Sequence, residues 1–233
     1  FATVRKATDK GFHYQTATDD STEEAKAKSN LIQDYSGKIV MVNDCVLECE
    51  LSPDVSEQGV KLLPLSQAWS DFPEIVEKQL SEPKKSLGAD KFHALNLALL
   101  TNGVFLMIPK DIKVDKPIIA YHWSSGNTQA SFPMTIIQAE NGSVSSFIDY
   151  YGSLDDTAAF ISSSAILLAD EGSNVTRKYI QNLNEHSTIF HREFTQAGEN
   201  SDPSSISIHL GGAYARIDSV LNITGAQARA SLY

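Results

Sequence analysis

A turn sequence that returns at nearly constant intervals in the second half of the chain constrains the fold more than any other feature. Ala139-Glu140-Asn141-Gly142-Ser143 resembles Ala169-Asp170-Glu171-Gly172-Ser173, and looser copies stand at 197–200 and 224–226. The glycines of these turns fall at positions 142, 172, 198 and 225. A step of this size is typical of a solenoid, in which each coil buries its inward side chains by stacking on the next.

The residues between these turns predict short strands, because apolar and polar side chains alternate from Gly103 to the end of the sequence. We predict strands at Val104–Ile108, Pro117–Trp123, Pro133–Ala139, Ser143–Tyr150, Ala158–Asp170, Asn174–Gln181, Ile189–Gln196, Ser205–Leu210, Tyr214–Ile223 and Ala226–Tyr233. An antiparallel sandwich would give a similar pattern and remains open, but the repeated turn favours the solenoid.

Alternation also assigns the faces of the last strands. We expect Ile206, Ile208 and Leu210 to point inward, and Ser205, Ser207 and His209 to point outward. In the final run, the expected interior residues are Ala226, Ala228, Ala230 and Leu232. Since no polar cap closes this coil, we expect the natural chain to continue beyond Tyr233 or to pair there with a partner.

The first 103 residues have a mixed pattern. Ser21 and Glu24 form a capping-box pattern before a short helix, and Ile39–Leu51 alternates like a strand. Helical spacing predicts a helix over Leu65–Leu80 with a break at Pro73, and another over Asp90–Asn102. The sequence therefore predicts a mixed N-terminal region at 1–103 and a β-helix at 104–233.

Composition excludes several classes of protein. The 233 residues carry 19 Lys and Arg against 29 Asp and Glu, a net charge of -10, so no basic stripe for nucleic acid is expected and Arg177-Lys178 is interpreted as surface charge. Apolar runs such as Val104–Ile108 are too short to span a membrane. Two cysteines favour a reducing compartment, and we expect a cytoplasmic protein.

Common catalytic and metal-binding motifs are missing from the sequence. The only Gly-Lys pair, Gly37-Lys38, has Ile32 where a phosphate loop needs glycine, and the sequence has no GxGxxG, HExxH or GxSxG. Cys45 and Cys49 are expected on one strand face, about 13 Å apart at roughly 3.3 Å per residue, which is too far for one metal ion. We expect both to be packed structural residues.

The histidines and paired carboxylates also favour structural roles. His186 and His191 are expected on opposite faces of a strand as solvated or hydrogen-bonded residues, while His13, His93 and His122 lie among apolar neighbours. The pairs Asp155-Asp156 and Asp170-Glu171 lie in predicted turns. We therefore assign no catalytic, cofactor-binding or metal-binding residue, and predict a protein that is not an enzyme.

Several segments resemble one known family. The stretch 91–110, KFHALNLALLTNGVFLMIPK, followed by Pro117-Ile118, resembles the entry to the first strand of the SufB/SufD family of iron–sulfur cluster assembly proteins. The repeats at 136–152 and 167–179, Leu210-Gly211-Gly212 with Arg216 and Asp218, and the ending at 230–233 are similar to later family segments. The resemblance covers about residues 60–233 and implies a right-handed parallel β-helix after a helical N-terminal region.

Within that family, SufB-like chains carry Gly-Cys-Thr-Ala-Pro where this sequence has residues 149–155 without cysteine, so the chain resembles the SufD type. The resemblance implies a scaffold subunit that acts with a SufB-like scaffold and a SufC-like ABC-type ATPase, or as a homodimer. The family's cluster-ligand segment and ATPase-docking helices correspond to positions beyond Tyr233. We expect no cofactor bound by this chain alone, with an iron–sulfur cluster at an interface of the full-length complex.

Two functions compete at this point. The first is the assembly scaffold. The alternative is a solenoid-fold carbohydrate-active enzyme, a lyase or hydrolase, for which Asp149, Arg216 and Asp218 would be the candidate catalytic residues. A secreted, adhesin-like β-repeat is a third and weaker interpretation.

Overall fold

The computed structural model describes residue 11, residues 15–81 and residues 90–233. The helices are α1 (Asp19–Lys28), α2 (Pro53–Glu57), α3 (Leu65–Asp71), α4 (Pro73–Ser81) and α5 (Asp90–Leu99). The strands are β1 (Gly37–Val42), β2 (Cys45–Leu51), β3 (Lys61–Pro64), β4 (Gly103–Ile108), β5 (Ile118–Ser124), β6 (Gln129–Ser131), β7 (Met134–Ala139), β8 (Val144–Ser153), β9 (Ala159–Ala169), β10 (Asn174–Asn182), β11 (Thr188–Ala197), β12 (Ser204–His209), β13 (Tyr214–Ile223) and β14 (Ser231–Leu232).

The strands form two sheets that share one interior. Sheet 1 has the order β14-β12-β10-β8-β5-β1-β2, and sheet 2 has the order β13-β11-β9-β7-β4-β3, with β6 paired to β9. Among strands β4 to β14 every pairing is parallel, and the chain passes alternately from one sheet to the other, except that β6 and β7 both belong to sheet 2. The predicted β-solenoid is confirmed, with about four turns, and the antiparallel sandwich is wrong.

The repeated turns stack on one another and hold the coils in register. The N–H of Gly142 donates to the carbonyl of Glu171, and the N–H of Gly172 donates to the carbonyl of Glu199, each at 2.8 Å. Both glycines have positive φ, of 70° and 67°, and Asn200 occupies the next position of this column with φ 55°. The left-handed conformation is therefore repeated from coil to coil, and in the third of these turns Asn200 adopts it rather than Gly198, the glycine of that turn.

Apolar side chains fill the N-terminal half of the interior. Ile39, Leu106, Ile118, Ile137 and Phe147 are fully buried members of one cluster. Leu62 on β3 and Val55 on α2 belong to the same cluster. At the N-terminal edges of the two sheets, β2 pairs antiparallel with β1 and β3 pairs antiparallel with β4. Together with α2, these two edge strands close this end of the interior.

Helices cover part of the outer surface of each sheet. On sheet 1, Ala25 of α1 packs with Val40, Ile119 and Trp123, and the indole N–H of Trp123 donates to Ser29 Oγ at 2.9 Å. On sheet 2, α3 and α4 bury Leu65, Ala68 and Val76 against a cluster that includes Phe105, Ile136 and Ile166. The N-terminal helices thus shield apolar strands that would otherwise face solvent.

Most predicted elements of the N-terminal region are confirmed, with three differences. The capping box is formed by Thr18 as N-cap and Ser21 as the third helical residue, so α1 begins before Ser21. The strand predicted at Ile39–Leu51 is two strands joined at Asn43-Asp44, whose φ angles of 50° and 64° suit a two-residue hairpin turn. The helix predicted over Asp90–Asn102 ends at Leu99.

The predicted faces of β12 are wrong. Ser205 is 1% exposed and pairs with the buried Arg177 of β10, whereas Ile208 is 41% exposed. The interior of these coils is polar, so the serine at 205 points inward and the isoleucine at 208 points outward, the reverse of what hydrophobicity predicts. The final predicted strand is also shorter, since β14 contains only Ser231 and Leu232.

We expect Asn96 to be the polar contact that anchors α5 to the solenoid. Its Nδ2 donates to the carbonyls of Pro133 and Ser162, at 3.1 and 2.6 Å, and its Oδ1 accepts from Ser164 Oγ at 2.7 Å. Asn96→Ala removes all three buried hydrogen bonds, although the carbonyl of Pro133 still accepts from the N–H of Ser164, and the free energy of unfolding in urea should fall by about 2–4 kcal/mol. Leu99→Ala, at a residue that is 46% exposed, is the matched control; equal losses in both variants would contradict the role of Asn96.

Candidate functional site: a charged cluster inside the solenoid

The most unusual side chain of the molecule is Arg177, which is fully buried in the interior. It projects from β10, donates from Nη2 to Asp149 Oδ2 on β8, and donates from Nη1 to Glu193 Oε2 on β11 at 2.9 Å. Asp149 and Glu193 are also buried. Because β8 and β10 belong to sheet 1 and β11 to sheet 2, one guanidinium connects the two sheets across the interior.

Two histidines complete the cluster. Nε2 of His191 lies 3.1 Å from Arg177 Nη2, and its Nδ1 lies 2.8 Å from Ser163 Oγ. An arginine can only donate, so Nε2 of His191 accepts and the proton sits on Nδ1, where it can donate to Ser163. On the other side, Nε2 of His122 is 3.0 Å from Asp149 Oδ1.

The cluster sets the protonation of its own members. Burial opposes ionisation of Asp149, but the charge of Arg177 and the contact with His122 outweigh it and hold the pKa of Asp149 well below its usual value. Burial likewise opposes the charge of Arg177, yet Asp149 and Glu193 raise its pKa. Burial and the nearby guanidinium hold the pKa of His191 well below its usual range, so this imidazole is neutral.

Aromatic rings surround the charged groups. The ring of His122 stacks on Tyr151 with centroids 4.4 Å apart, and the ring of His191 stacks on Tyr179 at 4.1 Å. Both tyrosines are fully buried, and burial raises the pKa of each hydroxyl. The cluster is therefore enclosed by side chains and is not an open cleft.

The residues considered for carbohydrate chemistry do not come together. Asp149 lies in the interior with no exposed surface. Arg216 and Asp218 pair with each other on β13, with Nε and Oδ2 2.8 Å apart, and Arg216 lies over the ring of Phe92. General acid and base groups must reach the same bond of a substrate, which this arrangement does not allow.

The two cysteines lie on opposite faces of β2, so the prediction that they share a face is wrong. The register shift between Val40 and Met41 leaves Leu47 as an extra residue, so that Cys45 pairs with Val42 and Cys49 with Ile39. Cys49 Sγ lies 3.4 Å from the carbonyl of Leu62. The prediction that both cysteines are packed structural residues is wrong for Cys49, which is an exposed residue. Partial burial of its thiol, followed by the charge of Glu50, raises the thiol pKa to about 11, so little thiolate is present at neutral pH.

The remaining histidine and carboxylate predictions have mixed outcomes. His186 is exposed near Asp156 and His191 is hydrogen-bonded inside, as expected of a solvated and a satisfied residue. The carboxylate of Asp155 stabilises a turn, as predicted, because it accepts hydrogen bonds from the N–H groups of Gly126 and Thr157 at 2.7 and 2.9 Å. The interpretation of His122 as an apolar packing residue is wrong, and His13 lies outside the described residues.

The interpretation of Arg177 as surface charge is also wrong, and one signal could have revealed its position. Asp149 and Arg177 are 28 residues apart, close to the 30 that separate Gly142 from Gly172, so opposite charges lie one coil apart. Arg177 also alternates with Val175 and Tyr179, which share its inward face. A charge in phase with buried residues, one coil from its counter-charge, indicates an interior ion pair.

Neither a metal-binding cluster nor a membrane-spanning helix is found in the part of the chain that the structure describes. Within residues 15–81 and 90–233, no group of three or more His, Cys, Asp and Glu side chains is arranged to hold a metal ion. Among the helices of the same described part, none is long and apolar enough to span a bilayer.

A second buried carboxyl lies at the β1–β2 turn. Asp44 accepts from the N–H of Phe132 at 2.7 Å and from Thr101 Oγ1 at 3.4 Å, both at Oδ2. Burial raises its pKa to about 6, against smaller lowering effects of Phe132, His122 and Thr101. The folded state therefore favours the protonated form of this group.

Removal of Arg177 should be among the most destabilising single changes in this chain. Arg177→Met leaves Asp149 and Glu193 buried without their cation, and the free energy of unfolding should fall by about 3–5 kcal/mol at pH 7 in urea titration. The control is Arg216→Met, which breaks a partly exposed pair and should cost less than about 1 kcal/mol. Similar losses in the two variants would show that the interior pair has no special weight.

Asp44 should make the protein less stable as the pH rises. Its raised pKa gives a stabilising contribution that is complete below about pH 4 and is lost as the pH passes about 6. Asp44→Asn removes this loss, so the free energy of unfolding of the variant relative to that of the wild type should rise by about 2 kcal/mol between pH 4 and pH 7. Urea titrations at both pH values measure it, with the exposed Asp156→Asn as control; a difference that does not change with pH would contradict it.

The sequence matches two protein-family models. Residues 14–119 match a family model described as the SufBD protein N-terminal region, and residues 122–233 match the SufBD core domain of SUF system FeS cluster assembly. These two matches together take in almost the whole chain.

Individual relatives of the chain carry names of the same family. The chain is 23% identical over 176 residues to the iron-sulfur cluster assembly protein SufD of Bacillus subtilis, covering 75% of this chain and 40% of that protein. It is 23% identical over 182 residues to a SufBD family protein of Staphylococcus aureus, covering 77% of this chain and 37% of the relative. A SufBD family protein, ycf24 of Trieres chinensis, is 32% identical over 96 residues, 41% of this chain and 20% of the relative.

This chain thus spans 40% or less of the length of these relatives. The two family models meet close to the start of β5, so the helical region and the coils with the charged cluster both have counterparts in one family. The chain belongs to the SufB/SufD family of iron–sulfur cluster assembly proteins.

Proposed function

We propose that this chain is part of a SufD-type scaffold subunit that works in the cytoplasm without catalysing a reaction itself. The observation that carries the proposal is the match to both SufBD family models on a parallel solenoid whose charged cluster is enclosed. The relative named SufD supports the SufD type, as does the absence of cysteine from residues 149–155.

The proposed partners are a SufB-type scaffold and a SufC-type ATPase. Nucleotide chemistry would come from another polypeptide, since this sequence carries no phosphate loop. The iron–sulfur cluster is cargo in this proposal, held at an interface by soft ligands from more than one chain.

A carbohydrate-active enzyme is the weaker candidate. It would need accessible carboxylates facing one substrate, whereas Asp149 is enclosed and Asp218 is paired with Arg216 on a different strand. Parallel solenoids are compatible with many functions, so the fold alone does not support this candidate.

Co-purification tests the scaffold proposal. The full-length protein, expressed with the SufB-type and SufC-type proteins of the same genome, should elute with them as one complex of fixed stoichiometry. The same protein expressed with an unrelated ABC-type ATPase is the control. Failure to bind either SUF partner would contradict the proposal.

Complementation separates the scaffold from the enzyme. In a strain that lacks the gene, activity of iron–sulfur enzymes should fall and should be restored by the full-length wild type. Asp218→Asn should restore it equally, because its carboxylate lies on the outer surface and the proposal gives it no chemical role. Turnover of a polysaccharide that disappears in Asp218→Asn would instead favour the enzyme.

A further inference from the structure

A small internal cavity lies between the β1–β2 turn and the charged cluster. Its polar lining consists of Asp44, His122, Ser124, Ser131 and Tyr151, and apolar side chains, including Met41 and Ile161, complete the wall. All five polar residues are more than nine-tenths buried. The cavity therefore combines enclosure with a polar wall, a combination that apolar packing defects lack.

Two of these residues have polar atoms without a well-formed hydrogen bond. Neither ring nitrogen of His122 makes a well-formed hydrogen bond, although Nε2 lies 3.0 Å from Asp149 Oδ1. The hydroxyl of Tyr151, which lies near Ser163, makes no well-formed bond either. A buried polar group without a hydrogen-bond partner destabilises the folded state, so the fold is stabilised if one molecule bonds to both residues.

Size and chemistry limit what that molecule can be. The space is about 10 Å³, close to the minimum that one water molecule needs. A buried water typically makes two to four hydrogen bonds, and this wall offers a carboxyl group, an imidazole nitrogen and hydroxyls. A larger anion does not fit, and the carboxyl group of Asp44 disfavours one.

We propose that this cavity binds a single structural water that bridges Asp44, His122 and Tyr151. The bridge joins the β1–β2 turn to the cluster, because His122 already contacts Asp149, and Asp149 pairs with Arg177. A continuous line of polar contacts then runs from the closed N-terminal end of the solenoid to the coils of β10 and β11. His122 lowers the pKa of Asp44 through its charge, which agrees with the short distance between the two side chains across the cavity.

Tyr151→Phe removes one partner of the water and leaves the ring stacked on His122. Tyr179→Phe is the matched control, since Tyr179 is equally buried within the cluster but does not line the cavity. Crystal structures at about 1.5 Å resolution should show one water near the Asp44 carboxyl in the wild type and in Tyr179→Phe. In Tyr151→Phe the water should be absent or displaced.

The pKa of the Asp44 carboxyl group provides a second test. The groups that face Asp44 are the N–H of Phe132, the hydroxyl of Thr101 and the imidazole of His122, and the water would add one donor. Carbon-13 NMR titration of Asp44 should show its pKa raised by about half a unit or more in Tyr151→Phe and unchanged in Tyr179→Phe. A dry cavity in the wild type, or a water that keeps its position in Tyr151→Phe with an unchanged Asp44 titration, would overturn the proposal.

Discussion

The ion pair of Arg177 with Asp149 and Glu193 is the contact on which the arrangement of the middle coils depends. It is made inside, between the two sheets, and its three side chains come from three different strands. An isolated charge at this depth would cost several kcal/mol, so the three groups are tolerable only together. The geometry of one pair thus constrains β8, β10 and β11 at once.

Such a cluster favours one register over its alternatives. Sliding β10 by two residues against β8 would keep every side chain on its face, and an apolar interior would tolerate the exchange of one aliphatic residue for another. Here the slide would place Val175 or Tyr179 where Arg177 meets its carboxylates. The buried charges would lose their partner, so the free energy that the pair adds lies more in excluding wrong registers than in stability.

The sequence predicted the architecture well because the turn repeat reports a backbone property. The left-handed residues at Gly142, Gly172 and Asn200 recur once in each coil, whatever the strands between them contain. Predictions of faces failed where the interior is polar, since hydrophobicity assigned Ile208 to the inside and Ser205 to the outside. The extra residue at Leu47 gave no signal at all, because a bulge depends on pairing with β1 and not on its own composition.

A rigid interior has a consequence for the outer surface that a scaffold offers to its partners. Neighbouring residues on a strand point to opposite faces, so Lys178 and Ile180 face outward at positions determined by Arg177 and Tyr179 between them. When the interior allows only one register, the outward side chains of successive coils also have one arrangement. A binding surface built this way is ordered before its partner arrives, and association then costs less conformational entropy. The enclosed charges can therefore contribute to assembly without touching a partner or a cluster.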